Sequence, residues 1–190
     1  MEKILILDNY DSFTYNLVHY VKENPNFEVD VFRNDKITLD EVDKYNTIIL
    51  SPGPGLPNDA GILKELIQKY ASSKKILGVC LGMQAIGEVF GGTLVNLQKV
   101  FHGVATPIEV TEKKDLLYKG LPSKFNVGRY HSWVITNENF PKELNITSKE
   151  ENGQIMSLKH KDYKLYGVQY HPESILTEHG KQMITNFLKI

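Results

Sequence analysis

The stretch Lys74–Gly92, KKILGVCLGMQAIGEVFGG, holds the only cysteine in a chain of 190 residues. Cys80 follows a short apolar run, KILGV (75–79), and precedes a segment with Met83, Ile86 and Phe90 at helical spacing. The run is too short for a helix and is followed at once by a turn signal, so it reads as a buried strand. The cysteine then sits on a strand-to-helix turn, with Gly78 and Gly82 two places away on either side. A lone cysteine in an apolar run is ordinarily an inert core residue. The flanking glycines favour a different reading. G-x-C-x-G between a strand and a helix is the cysteine counterpart of the nucleophile elbow, in which glycines permit a sharp bend and close packing. The turn places Cys80 at a helix N-terminus, where the dipole favours a thiolate, and the N–H of Leu81 can meet an oxyanion. Gln84, one helical turn on, shares the face of Cys80 and can read a polar group of a substrate.

The strand–helix unit belongs to a longer alternation. KILIL (3–7) and TIIL (47–50) are further buried strands, and FEVDVF (27–32) alternates as a strand. Between them, Phe13, Leu17, Tyr20 and Val21 share a helical face, with Asp11 or Ser12 as N-cap. Leu63, Leu66, Ile67 and Tyr70 form another face, capped by Asn58 or Asp59. This order predicts an α/β fold: one open, mostly parallel twisted sheet with helices on both faces, of flavodoxin-like kind. The second half changes character. GTLVNL, VATPIEV, FNVGRYHSWVIT, LNITSKE, QIMSLKH and LYGVQYH read as strands joined by short turns, some antiparallel at the sheet edge. A closing helix over residues ~178–189 turns Met183, Ile184, Phe187 and Leu188 inward. No repeat or linker interrupts the chain, so residues 1–190 are expected to form a single domain.

Composition narrows the function classes. With a formal net charge of −1 and no long basic run, the chain is not expected to bind nucleic acid or an anionic membrane. The longest run of apolar residues and glycine, ILGVCLGM, is far short of a membrane span, and MEKILILDNY is no secretory leader. A single cysteine rules out an internal disulfide and suits a reducing cytoplasm.

In an open parallel sheet, ligands bind beyond the carboxyl ends of the strands, and two more motifs fall there. In YHPES, His171 and Glu173 are two residues apart. In an extended segment they project to one side, so the carboxylate can fix the imidazole tautomer and His171 can serve as base for Cys80. In SPGPGLP, the prolines Pro52, Pro54 and Pro57 lack an N–H, so only Gly53, Gly55 and Leu56 can donate. Such a stiff loop suits an oxyanion better than a pyrophosphate. A zinc site from Cys80, His171 and Glu173 would supply only three ligands and lacks the usual close spacings. No metal is expected.

Together, GVCLGMQ, HPES and SPGPG resemble the class I (triad-type) glutamine amidotransferases over essentially the whole chain. The opening LDNYDSFTYNL and the SPGPG loop resemble one branch more narrowly: the small glutaminase subunits (component II) of anthranilate synthase and of aminodeoxychorismate synthase. The resemblance implies that Cys80 attacks the carboxamide of L-glutamine, that His171 oriented by Glu173 shuttles protons, and that a glutamyl thioester releases ammonia and then glutamate. It implies oxyanion donors at Leu81 and in the loop Gly53, Pro54, Gly55. It further implies that glutamine is held by Gln84 and by the main chain of Ser132 and Trp133 in YHSWV. Two positions depart from the pattern: Trp133 stands where many relatives carry leucine, and Val104 where a lysine is frequent.

The implied partner is a large chorismate-binding synthase subunit, itself using Mg2+, with no cofactor in this chain. The loop Asn9–Thr14 is a plausible contact for it. The expected product is anthranilate, for tryptophan biosynthesis. The alternatives are aminodeoxychorismate for folate synthesis, a stand-alone γ-glutamyl cysteine hydrolase, and a non-catalytic flavodoxin-like module.

Overall fold

A computed structural model describes all of residues 1–190. Four apolar runs pair as parallel strands: β1 (Glu2–Asp8), β2 (Phe27–Arg33), β3 (Thr47–Leu50) and β4 (Lys75–Val79). A fifth parallel strand, β11 (Leu165–Val168), returns from the far end of the chain to lie beside β4. Beyond it the sheet continues antiparallel through β10 (Ile155–His160), β9 (Leu144–Glu150), β6 (Val104–Val110) and β7 (Lys124–Arg129). The resulting order is β2-β1-β3-β4-β11-β10-β9-β6-β7. A separate antiparallel pair joins β5 (Leu94–Asn96) to β8 (Trp133–Ile135).

The edge strand β2 alternates with charged residues, while the inner parallel strands β1, β3, β4 and β11 are buried on both faces, which is why they are mostly apolar. Alternation divides them between two cores. Ile4, Ile6, Ile49, Leu77 and Val79 face helices α1 (Thr14–Lys22) and α5 (Gly180–Lys189). Leu5, Leu7, Ile48, Leu50 and Ile76 face α2 (Leu39–Val42), α3 (Leu63–Tyr70) and α4 (Leu81–Val89). The inward face expected of the last helix is the observed one: Met183, Ile184, Phe187 and Leu188 are all buried.

Several local expectations are corrected. Helix α1 begins at Thr14 with Phe13 as its N-cap residue, not Asp11 or Ser12. Asp11 instead accepts from the Phe13 N–H within the preceding turn. The face of α1 is turned by one residue, so Thr14 and Val18 are buried while Phe13 and Tyr20 are only partly covered. Asn58 and Asp59 do not cap α3. They form a 3-10 turn, Pro57–Asp59, and the chain turns again at Gly61 before the helix starts. Gly61 has φ +53° and lies so close to the Asn34 carbonyl that a Cβ would sit 2.4 Å from its oxygen. FNVGRYHSWVIT is not one strand. After Arg129 the chain leaves the sheet, because the His131 and Ser132 carbonyls accept from Phe101 and Leu97 rather than from a ladder neighbour, and β8 then packs across α4. That cover explains why α4 is buried from Leu81 to Gly87 rather than along one stripe, while Phe90 is only partly buried.

The elbow is held by close backbone packing. A Cβ on Gly82 would sit 2.7 Å from the Leu50 carbonyl oxygen, and one on Gly78 2.5 Å from the backbone of Gly82. Neither neighbour can yield without moving β3 or α4. Gly82→Ala should therefore lower the unfolding free energy by about 2 kcal/mol, as overpacking does. Urea unfolding checks this, and an unchanged midpoint would show that the elbow relaxes freely.

Candidate active site

Four loops meet at the carboxyl ends of the parallel strands: those after β1, β3, β4 and β11. The first two are clamped together. The Asn9 N–H donates to the Ser51 hydroxyl (2.8 Å) and its side-chain amide to the Ser51 carbonyl (2.8 Å), while Asn34 donates to Asn9 Oδ1 (3.0 Å). This fixes the SPGPG loop over the end of β4, a structural part for Asn9 that its own sequence neighbourhood does not signal.

Cys80 has φ 52° and ψ −102°, a conformation that L residues rarely adopt. Hydrogen bonds on both sides hold it there: its N–H donates to the Val168 carbonyl (2.8 Å), and its carbonyl accepts from the Gln84 N–H (3.0 Å). Leu81 is the first residue of α4, so helix geometry leaves its N–H without an acceptor in the helix. Cys80, Gly53, Pro54, Gly55, Gln84, Ser132 and Trp133 line one cavity of about 280 Å³, together with Val100, Phe101, His102, Tyr130 and His131. Thus all the expected substrate-contacting residues except Leu81, whose side chain is buried in the core, converge on the sulfur. A depression of about 530 Å³ lies at the opposite edge of the sheet, around Lys74, Lys75 and Lys164. Those lysines donate to backbone carbonyls, and the depression lies away from Cys80, His171 and Glu173.

His171 and Glu173 are nearly fully buried, and His171 Nδ1 lies 2.7 Å from Glu173 Oε1. They meet on a turn rather than an extended segment. The Ser174 N–H closes onto the His171 carbonyl (3.1 Å), and Thr177 Oγ1 donates to the same oxygen. The expected pairing is present, produced by a turn with Pro172 at its centre. Phe13 and Tyr130 pack against the ring, with centroids 5.4 and 4.8 Å away. His171 Nε2 has no hydrogen-bond partner. Burial alone would push the imidazole down, but Cys80 and Glu173 beside it outweigh this and push it up to about 10. Burial pushes the Glu173 carboxyl up, while the hydrogen bond from His171 pulls it down. With Glu173 engaging Nδ1, Nε2 is the nitrogen left for chemistry. Glu173 holds the ring at Nδ1 and Cys80 acts on the same imidazole, an arrangement that suits a proton shuttle.

The far wall is set by Arg129, His131 and Gln84. The Arg129 guanidinium is fully buried without a carboxylate partner. It donates from Nε to His131 Nε2 (3.1 Å) and from Nη2 to Gln154 (2.5 Å), and lies 3.5 Å from the Phe101 ring centroid. Because arginine can only donate, His131 Nε2 must accept and Nδ1 must carry the proton. Nδ1 then donates to the Trp133 carbonyl (3.0 Å), which also accepts from Gln84 Nε2 (2.9 Å). The YHSWV segment is thereby held by its main chain. Gln84 is buried, not an exposed helical glutamine, and its Oε1 makes no hydrogen bond within the protein. Val104, at the start of β6, lies outside this cavity.

Residues 5–190 match the profile of the family described as glutamine amidotransferase class-I. The chain belongs to this family. It is 49% identical to anthranilate synthase component 2 of Cyanophora paradoxa, covering 97% of each chain. It is 43% identical to the aminodeoxychorismate/anthranilate synthase component 2 of Bacillus subtilis, covering 98% of this chain and 95% of that one. All of the chain matches the bifunctional protein TrpGD of Thermotoga maritima at 44% identity, but spans only 32% of that longer protein. A crystal structure of a putative GMP synthase protein from Thermoplasma acidophilum superposes with a TM-score of 0.88 at 26% identity, covering 100% of this chain and 93% of that one.

One titration follows from the wall. Burial, and Arg129 after it, push His131 down to about 3, against about 6.5 in an unfolded chain. Between these values the unfolded state binds more protons, so His131 makes stability fall as pH drops from 6.5 toward 3, by up to about 1.4 kcal/mol per unit. His171 is protonated in both states across that window and adds no slope; its contribution is lost as pH rises through about 10. Gln can accept from Arg129 and donate to Trp133 without titrating. His131→Gln should therefore flatten the acid side of the stability–pH curve measured by urea unfolding, and parallel curves would refute the assignment.

Proposed function

We propose that this protein is the glutaminase component of an anthranilate synthase, supplying ammonia to a separate chorismate-binding component. The observation that carries the chemistry is the strained elbow at Cys80 with the buried His171–Glu173 pair beside it, in a chain belonging to the class-I glutamine amidotransferases. The Cys80 sulfur attacks the carbonyl carbon of the glutamine side chain. The oxyanion that forms is met by the Leu81 N–H and the Gly53–Gly55 loop. His171, which holds its proton well above neutral pH, gives it to the departing nitrogen, so ammonia leaves as the glutamyl thioester forms. His171 then takes a proton from water, which attacks the thioester and releases glutamate and the thiol. Gln84 Oε1, turned to the cavity, accepts from the substrate's ammonium, and the Ser132–Trp133 main chain holds its other end.

Names of relatives support the anthranilate branch, and the designation component 2 supports a partner synthase component 1. The Bacillus subtilis relative carries both activities in its name, which keeps aminodeoxychorismate as the second reading. No helix is long and apolar enough to cross a membrane. That fact and the free cysteine are consistent with cytoplasmic action, and the Mg2+ of the chorismate reaction belongs on the partner.

The test mixes the protein with a candidate large component, chorismate, Mg2+ and glutamine, and identifies the product. Anthranilate is expected, aminodeoxychorismate would move the assignment to the sister branch, and neither would overturn it. Cys80→Ser should abolish glutamine-dependent but spare ammonia-dependent product formation by the complex. Trp133→Leu should change the KM for glutamine less than about three-fold, since only the Trp133 carbonyl takes part; a rise of about ten-fold or more would place the indole in the binding site.

A further inference from the structure

We propose that Gln169 is a further residue of the reacting centre: its side-chain amide donates to the Cys80 sulfur and stabilises the thiolate, in an orientation imposed by Gln84. The proposal rests on the glutaminase reading of the site. Gln169 follows β11, is completely buried, and places Nε2 3.6 Å from Cys80 Sγ, an N–H···S distance. Its Oε1 accepts from Gln84 Nε2 at 3.2 Å.

The direction of this chain is fixed by a group that cannot reverse. The Trp133 carbonyl is only an acceptor, so Gln84 must turn its NH2 toward it. The other proton of that NH2 points to Gln169, which must therefore present its carbonyl to Gln84 and its NH2 to the sulfur. Flipping Gln169 would set its oxygen against the sulfur and its NH2 against the NH2 of Gln84, leaving the buried Gln169 amide unpaired. The sulfur is the only acceptor that Gln169 Nε2 has. A neutral thiol accepts such a bond poorly and a thiolate accepts it well, so the contact favours the charged form. It does so while His171 Nε2 has no hydrogen-bond partner. Gln169 thus steadies the nucleophile before substrate arrives, and Gln84 joins the strand that holds the glutamine to the sulfur that attacks it.

Cys80 is the only cysteine, so alkylation of the intact protein by iodoacetamide, followed by mass, reads this sulfur alone. Gln169→Met keeps the bulk and removes the donor. It should slow alkylation at neutral pH about five- to ten-fold and move the midpoint of the rate–pH profile up by about one unit, without lowering the alkaline plateau. Gln169→Glu places a carboxyl against the sulfur and should move the midpoint further. A midpoint unchanged in a folded variant, by circular dichroism and thermal unfolding, would overturn the proposal. If Gln169→Met does not fold, the isosteric Gln169→Glu decides it. Alkylation requires neither glutamine nor a partner. Wild-type protein that alkylates as expected but fails to hydrolyse glutamine in the complex would refute the function and leave this result standing.

Discussion

The structure depends on one backbone conformation. Cys80 is held at φ 52° between two glycines that leave no room for a Cβ, and the consequences run outward. Gly82 brings α4 against the end of β3, and Gly78 lets the first turn of that helix fold back over β4. A strained residue of this kind costs on the order of 1–3 kcal/mol, offset by the packing around it. Here the surroundings are two parallel strands and a helix buried on both sides. The elbow leaves Cys80 buried against the apolar layer yet lining the cavity at the sheet's carboxyl edge, where the other three loops arrive.

A buried polar site must satisfy its groups, and most of this one does so through directional chains. Arg129 fixes the tautomer of His131, His131 and Gln84 both donate to Trp133, and Gln84 orients Gln169. Each link leaves the next only one way to turn, so the wall is rigid without a salt bridge. Only three buried side-chain oxygens or nitrogens lack a partner, and two of them, His171 Nε2 and Glu173 Oε2, belong to the hydrogen-bonded pair His171–Glu173. Unsatisfied polarity in a folded protein is costly. Its concentration at this pair falls at the same edge of the sheet as the strained elbow of Cys80.

Much of this was legible in the sequence, and the reason is local. KILGV, TIIL and KILIL are strands because both sides of a parallel sheet are buried. The elbow was legible because glycine is required at fixed offsets from Cys80. What resisted reading depends on distant partners. The deep burial of Gln84 had no local signal because the cover over α4 comes from β8, far along the chain. FNVGRYHSWVIT looked continuous because the exchange of hydrogen-bond partners at His131 and Ser132 has no signature in the segment itself. The pairing of His171 with Glu173 was anticipated, but its turn was not, since that turn is fastened by Thr177 and Ser174 downstream. One missed element did carry a local signal: Thr38 and Glu41 form a reciprocal capping box that starts the short helix α2.

The two histidines of the site show why residue type alone could not assign the chemistry. His131 and His171 stand at the same catalytic edge, yet one is pushed down to about 3 and the other up to about 10. Burial lowers both. What separates them is the company each ring keeps: a guanidinium for His131, a sulfur and a carboxylate for His171. A fixed cation makes the first imidazole a permanently neutral strut, able to accept on one nitrogen and donate on the other. Groups that carry negative charge make the second a proton store. When environments drive two titratable groups this far apart, they also divide the work between them. In this chain His131 sets the geometry of the wall around the Trp133 carbonyl, and His171 is the histidine that keeps its proton beside Cys80.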